Sequence, residues 1–223
     1  MQQSTLKASR LAQKNRYVGS VCLRLEDVVT AHGSSIAPHD LLLTSPPYGD
    51  NKTTIPYGQA SYLPLQWIDL EDIDRAVDLS CLATTAEIDS RSLGGSRKEA
   101  IERRMALEVK SESFRVTMNA LENQPNDRAA RITVFYADLD KCLPNILARL
   151  KPSSIMVWTV GNRHVGGVQI PIDNILVELL EHYGAYRVVT LSRNIVSKRM
   201  ASKNQIANTM DSEKILVMRT AGP

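Results

Sequence analysis

Five residues, Asp40-Leu41-Leu42-Leu43-Thr44, run directly into Ser45-Pro46-Pro47-Tyr48-Gly49. A short continuous apolar run bounded by turn signals suits a strand buried on both faces of a parallel sheet. Neither proline can donate a backbone hydrogen, so ladder pairing stops after Thr44. Ligand sites in open α/β sheets lie at the carboxyl ends of strands, which is where this turn falls. The turn presents the small hydroxyl of Ser45, carbonyls next to prolines, and the flat ring of Tyr48. From the residues alone it is either a ligand-holding loop or a proline-stiffened turn with a packed tyrosine.

The rest of the chain alternates elements around that run. Residues 1–16 read as a basic helical lead-in, and Val18 to Leu25 as a strand that ends in Glu26-Asp27. Residues 49–98 are rich in Gly, Ser, Thr and Asp and read as a long irregular insert. Long ordered connections are usually functional loops. In residues 96–122 the apolar positions Ile101, Met105, Val109, Phe114, Met118 and Leu121 predict a helix, with Ser96 and Glu99 suited to cap its start. A break falls around Pro125. The period resumes from Ala129 to Leu150, where Pro144 predicts a kink or a second start.

After Lys151-Pro152 comes a predicted strand, Ile155 to Val160. A helix, Asn174 to Tyr183, ends at Gly184, and two strands follow, Arg187 to Leu191 and Ile215 to Met218. Helix and strand alternate, which predicts a single α/β domain over residues 1–223, built on parallel crossovers.

At 223 residues the chain can bury a sizeable core unaided. Its three cysteines, Cys22, Cys81 and Cys142, form no CxxC pair, which argues against a disulfide scaffold and a zinc ribbon. The four histidines share no metal-ligand spacing, and no GxSxG or phosphate-binding lysine loop appears, so no metal is expected. No apolar run reaches the roughly 18 residues of a membrane span, and residues 1–16 lack a signal-peptide core. The expectation is a soluble cytoplasmic protein without a membrane partner.

Net charge is only +3, from 27 basic and 24 acidic residues, so its distribution matters more than its total. Residues 187–210 hold Arg187, Arg193, Lys198, Arg199 and Lys203 and no acid. That stretch is either a phosphate-contacting surface or a solvated basic loop. Arg97, Lys98, Arg103 and Arg104 alternate with Glu99, Glu102 and Glu108 and read as a salt-bridged helix face. Tyr57, Gln59, Tyr62, Gln66 and Trp67 in the insert suit base contacts or a lid, or else an ordinary packed insert.

The loop Thr44-Ser45-Pro46-Pro47-Tyr48 resembles the catalytic loop of the amino-group DNA methyltransferases, written Asp/Asn/Ser-Pro-Pro-Tyr/Phe/Trp. The serine form with a preceding threonine is most similar to enzymes that methylate the N4 amine of cytosine. YGDNKTTIPYGQASYLPLQW, SLGGS, Leu150-Lys151-Pro152 with the following strand and Gly161-Asn162, and RNIVSKRM with TMDSEKILVM also look like that family.

The resemblance covers most of residues 18–219. It implies a Rossmann-like methyltransferase sheet with helices on both faces and a final antiparallel strand. It further implies S-adenosylmethionine as cofactor, DNA as partner, and a setting in restriction–modification. By the same resemblance Ser45, Pro46, Pro47 and Tyr48 are catalytic, Asp27 and Thr44 touch the cofactor, and Arg193, Lys198, Arg199 and Lys203 contact DNA. Asp27 reads equally as a solvated carboxylate after a strand. Related loops methylate adenine N6, RNA or a glutamine amide. Serine at position 45 argues mildly against these.

One part of the family pattern is missing. Its cofactor loop is a strand followed by a turn of the type Phe-x-Gly-x-Gly. Gly94-Gly95 falls in the irregular insert, and Gly161 and Gly166-Gly167 follow what reads as a later strand. The first two βα units of the family sheet are therefore expected to be absent. The chain is then a truncated product, a DNA-binding remnant, or a half that needs a second polypeptide to supply the glycine loop.

Overall fold

The computed structural model describes residues 28–29, 38–48, 57–72, 75, 77–94, 100–122, 128–194 and 212–222. The expected lead-in over 1–16, the strand Val18 to Leu25, the Ser96 and Glu99 cap, Asp27, Lys198, Arg199 and Lys203 lie outside the described residues.

The apolar run forms strand β1, His39–Thr44, and the double proline ends it as expected. Its parallel partner is β2, Leu150–Val160, with Leu42 opposite Met156 and Thr44 opposite Trp158. Strand β2 starts before the expected Ile155: it takes in Lys151-Pro152, and Ser153 adopts a positive φ of 62°.

Two further strands complete this sheet, β5 (Tyr186–Asn194) and β6 (Ser212–Arg219), in the order β1-β2-β6-β5. Strand β6 is antiparallel to both of its neighbours, which bears out the expected final antiparallel strand. Among the described residues, β1 and β2 are the one parallel pair of this sheet. This topology brings the start of β6 and the end of β5 to the same sheet edge as the carboxyl ends of β1 and β2.

A short hairpin, missed in the sequence, joins β3 (Arg163–Val165) to β4 (Val168–Ile170). Gly166 and Gly167 make its turn with φ of 60° and 83°, a backbone that side chains beyond Cα disfavour.

Side-chain alternation decides what the sheet buries. Met156, Trp158, Val160, Leu216 and Met218 point into one core with the helices, and Leu42 packs against it. The expected burial of β1 on both faces is not met: on the other face Leu41 and Leu43 are exposed and Val157 and Val217 half-buried, because among the described residues the buried core lies on one side of the strand. The core helices are α3 (Ala100–Lys110), α4 (Glu112–Leu121), α5 (Arg128–Leu147) and α6 (Ile172–His182). Phe114, Phe135 and Tyr136 meet edge to face at its centre, with centroids 5.7 and 5.2 Å apart.

Several elements differ from expectation. The single helix expected over 96–122 is two helices, because Ser111 leaves helical geometry at φ −140° and caps α4 by accepting from the Phe114 N–H. The break turns α3, so Leu107 is buried while Ile101, Met105 and Val109 face outward. Pro144 neither splits nor restarts α5, which continues to Leu147.

The insert expected to be irregular over 49–98 contains α1 (Tyr57–Gln66), a 3₁₀ turn (Leu79–Leu82) and α2 (Thr85–Arg91). Asp78 and Thr84 cap the latter two by accepting backbone hydrogens, a local signal that composition hides. Gly58 lets α1 approach α2, since a Cβ there would lie 1.9 Å from the Thr85 carbonyl oxygen. The salt-bridged reading of the Arg103-Arg104 face holds in altered form: Arg104 pairs with Glu108 and Glu122, and Arg103 with Asp138.

Two polar clusters tie the helices together. Lys110 Nζ donates to Asp140 Oδ2 at 2.6 Å and to the Tyr183 hydroxyl at 2.8 Å, and that hydroxyl donates to Asp140 Oδ1 at 3.0 Å. Glu178 of α6 accepts from the Ser111 hydroxyl at 2.5 Å, the Ser113 N–H at 2.9 Å and the Ser113 hydroxyl at 2.6 Å. Ser111 is buried, so removing its acceptor strands a polar group. Glu178→Ala is expected to lower stability by about 2 kcal/mol, and Glu178→Gln by less. Urea denaturation of the two variants checks both the size and the order.

Candidate active site

The proline loop stands where two strand ends and a strand start converge. Thr44, at the end of β1, is half-buried. Ser45 leaves the sheet exposed, and its hydroxyl donates to the Thr159 carbonyl of β2 at 3.1 Å. Pro46 and Pro47 are half-buried and carry no N–H, so neither can bond back across the loop. Tyr48 follows with its ring packed against the core edge. Its hydroxyl lies 3.5 Å from the Ser45 hydroxyl and donates to Glu213 Oε1 at 3.0 Å.

Glu213 is the second residue of β6 and stands opposite Arg193, near the end of β5. The two form an ion pair, with the Glu213 side chain mostly buried at 14% exposure and Arg193 open at 62%. The electrostatics follow from this chain of contacts. Burial raises the Tyr48 phenol pKa above its ordinary value, and the Glu213 carboxylate adds to the rise. The hydrogen bond from Arg193 holds the Glu213 carboxyl below its ordinary range, and the Tyr48 hydroxyl assists. At neutral pH the tyrosine is therefore a donor and the glutamate a charged acceptor.

Beside this mouth, Asn162 donates to Asp173 Oδ1 at 2.8 Å and so fastens the end of β2 to the start of α6. In the insert, Gln59 and Trp67 are exposed and Tyr62 is half-buried.

The structure brings Ser45, Pro46, Pro47, Tyr48 and Arg193 to one sheet end, with Thr44 directly behind them. Sequence reasoning missed Thr159 and Glu213. Thr159 acts through its backbone, which no side-chain pattern reveals. Glu213 became visible only when β5 and β6 paired and placed it opposite Arg193.

Among the described residues the glycines do not supply a cofactor cradle. A Cβ on Gly94 would meet the Phe135 backbone and Cβ at 3.2 Å, so it packs against α5 rather than closing a phosphate-type turn. Gly161 is buried after β2, and Gly166-Gly167 turn a hairpin. Among the described residues no glycine-rich turn lies between a strand and a following helix, so these residues do not fit an adenosyl cofactor by themselves.

No protein-family profile matches the chain. Over 188 residues it is 37% identical to the Type II methyltransferase M.MvaI of Kocuria varians, a match that covers 81% of this chain. The chain spans 40% of the length of that relative. A solved structure described as a DNA modification methylase from Thermus thermophilus aligns with 48% of this chain and 51% of its own. Its sequence identity is 16% and its TM-score 0.35, too low to carry an argument. Among the described residues no helix is long and apolar enough to cross a membrane.

The depressed Glu213 carboxyl has a consequence for stability. Its contribution is fully present above the ordinary glutamate pKa of about 4.3 and is lost as pH falls through the lower folded value. Glu213→Gln should therefore be less stable than the native chain at pH 7, with the gap closing toward pH 3. Thermal unfolding at the two pH values measures the gap.

Proposed function

We propose that the chain carries the target-base side of a DNA methyltransferase that moves a methyl group from S-adenosylmethionine to the N4 amine of an extruded cytosine. The observation that supports this reading best is the Ser45 hydroxyl. Its one hydrogen lies nearer the Thr159 carbonyl, at 3.1 Å, than the Tyr48 hydroxyl, at 3.5 Å, and with either partner its lone pairs remain to accept. The relation to a Type II methyltransferase supports the broader class.

The chemistry follows from the target. A cytosine N4 amine is a poor nucleophile because its lone pair is delocalised into the ring. A strong base is not required, because the amine sheds one proton to solvent only after it has taken the methyl group and the donor has become the neutral thioether S-adenosylhomocysteine. Two acceptors that hold the N–H groups out of the ring plane localise the lone pair toward the methyl donor. The Ser45 hydroxyl and the Pro46 carbonyl take these roles. The base must first leave the helical stack. Tyr48 then stacks on the extruded ring, a contact worth about 1–3 kcal/mol. Serine at position 45, in place of Asp or Asn, favours cytosine N4 over adenine N6 or RNA.

The phosphate backbone is met by Arg193, Lys198, Arg199 and Lys203, with Gln59, Tyr62 and Trp67 of the insert toward the base. The described residues do not form the donor's cradle, so the part proposed for them is chiefly on the acceptor side. The glycine loop, with Asp27 and Thr44 as adenosine-side contacts, is completed by a second polypeptide. Strand β1 is the edge of the described sheet, and parallel strands are ordinarily flanked on both sides, which leaves room for such a strand.

Label transfer from S-adenosylmethionine to DNA, in an assay reconstituted with the polypeptide that supplies the cofactor side, tests the loop. Ser45→Ala should lower turnover roughly a hundredfold and Tyr48→Ala roughly tenfold to a hundredfold, with native-like unfolding. Full activity in both variants rejects the assignment. Replacing Lys198 and Arg199 with Gln should weaken DNA binding for all sequences and flatten its log–log salt slope by about 0.9 per lost phosphate contact. Tight calorimetric binding of S-adenosylmethionine by this chain alone would remove the need for a second polypeptide.

A further inference from the structure

We infer that Glu213 is a positioning residue for the proposed reaction: seated on Arg193, its carboxylate holds the Tyr48 hydroxyl and so fixes the plane of the ring on which the target base stacks. The inference rests on the base-stacking role proposed for Tyr48.

Three observations carry it. First, the hydrogen bond joins elements far apart in sequence: Tyr48, just past β1, and Glu213, at the start of β6, are 165 positions apart. Strand pairing fixes Glu213 independently of the loop, because it is locked opposite Arg193. Second, the Tyr48 ring is only half-buried, so packing restrains one edge and the hydroxyl bond restrains the far end. A ring held at both ends loses little freedom when a base stacks on it, which is the advantage of preorganisation. Third, an unpaired carboxylate at a DNA-facing mouth would repel phosphates. The guanidinium of Arg193 cancels that charge while leaving the second carboxylate oxygen, Oε1, for the tyrosine. The depressed carboxyl of Glu213 agrees, since it keeps the acceptor charged at neutral pH.

A purely structural role for Glu213 would act on the fold. A positioning role acts through one hydroxyl, and a double-mutant cycle separates the two. Turnover and KM for DNA are measured on the full chain, reconstituted with the polypeptide that supplies the cofactor side, for Glu213→Ala, Tyr48→Phe, the double variant, and Glu213→Gln. Glu213→Ala and Tyr48→Phe are each expected to lower kcat roughly tenfold, the size of one charge-assisted hydrogen bond. The double variant should be no worse than either single one, KM should change little, and Glu213→Gln should recover most of the rate because its amide oxygen still accepts. Multiplying losses, or a loss confined to KM, overturn the inference.

A second readout does not depend on turnover. In the chain carrying ¹³C-labelled tyrosine, the Tyr48 ring signals are identified by their absence in Tyr48→Phe. Glu213→Ala should shift them and lower the pH midpoint at which the phenol ionises. Ring signals and midpoint unchanged by Glu213→Ala overturn the inference, whether or not the chain methylates DNA. Ring signals that respond in a chain whose reconstituted complex makes no methylated product uphold the hold on Tyr48 and reject only the functional reading.

Discussion

The candidate site depends on the parallel pairing of β1 with β2. Leu42 opposite Met156 and Thr44 opposite Trp158 set a register that fixes where β1 can end. A shift by one residue would turn Leu42 out of the core and carry Ser45 away from the Thr159 carbonyl. The prolines then act on a loop already aimed. They add no bond of their own; they remove the alternatives, because a chain without two consecutive N–H groups cannot continue the ladder. Antiparallel β6 supplies the remaining constraint by bringing Glu213 to the same edge.

Behind this edge the sheet rests on helices joined by charged and hydroxyl groups as well as by apolar contact. Lys110, Asp140 and Tyr183 link α3 and α5 to the end of α6. Glu178 fastens α6 to the junction of α3 and α4. Asn162 and Asp173 fasten α6 to the end of β2, close to the mouth. The site thus sits on a frame tied together by these paired groups, although the buried Tyr136 hydroxyl and Trp158 indole N–H within it have no hydrogen-bond partner among the described residues; such a frame suits a loop that must keep a small hydroxyl and a ring in place.

Much of this was legible in the sequence, for physical reasons. The apolar run and two prolines announce a strand end without reference to anything distant, and the Ser45–Tyr48 loop lies where they point. The final antiparallel strand followed from the family resemblance. The helix break at Ser111 was hidden because the apolar spacing runs across it, and only the capping bond and Glu178 show why the chain turns. The 3₁₀ turn and α2 of the insert were hidden because their caps, Asp78 and Thr84, are the residues that make a segment look like loop. Glu213 was hidden because its importance lies in a strand pairing across the sheet. Arg193 was singled out for its charge alone, and its ion pair with Glu213 adds a place in the loop's support to the phosphate contact proposed for it.

The central claim is that Ser45 and its loop hold a cytosine amine for methylation. Its most direct test is base composition in a methylation-free bacterial host that expresses the chain together with its neighbouring reading frames. Nucleosides from the host DNA are separated and weighed by mass spectrometry. The account predicts N4-methylcytosine, sharply reduced by Ser45→Ala. N6-methyladenine in its place, no methylated base at all, or N4-methylcytosine undiminished in the Ser45→Ala variant would contradict it.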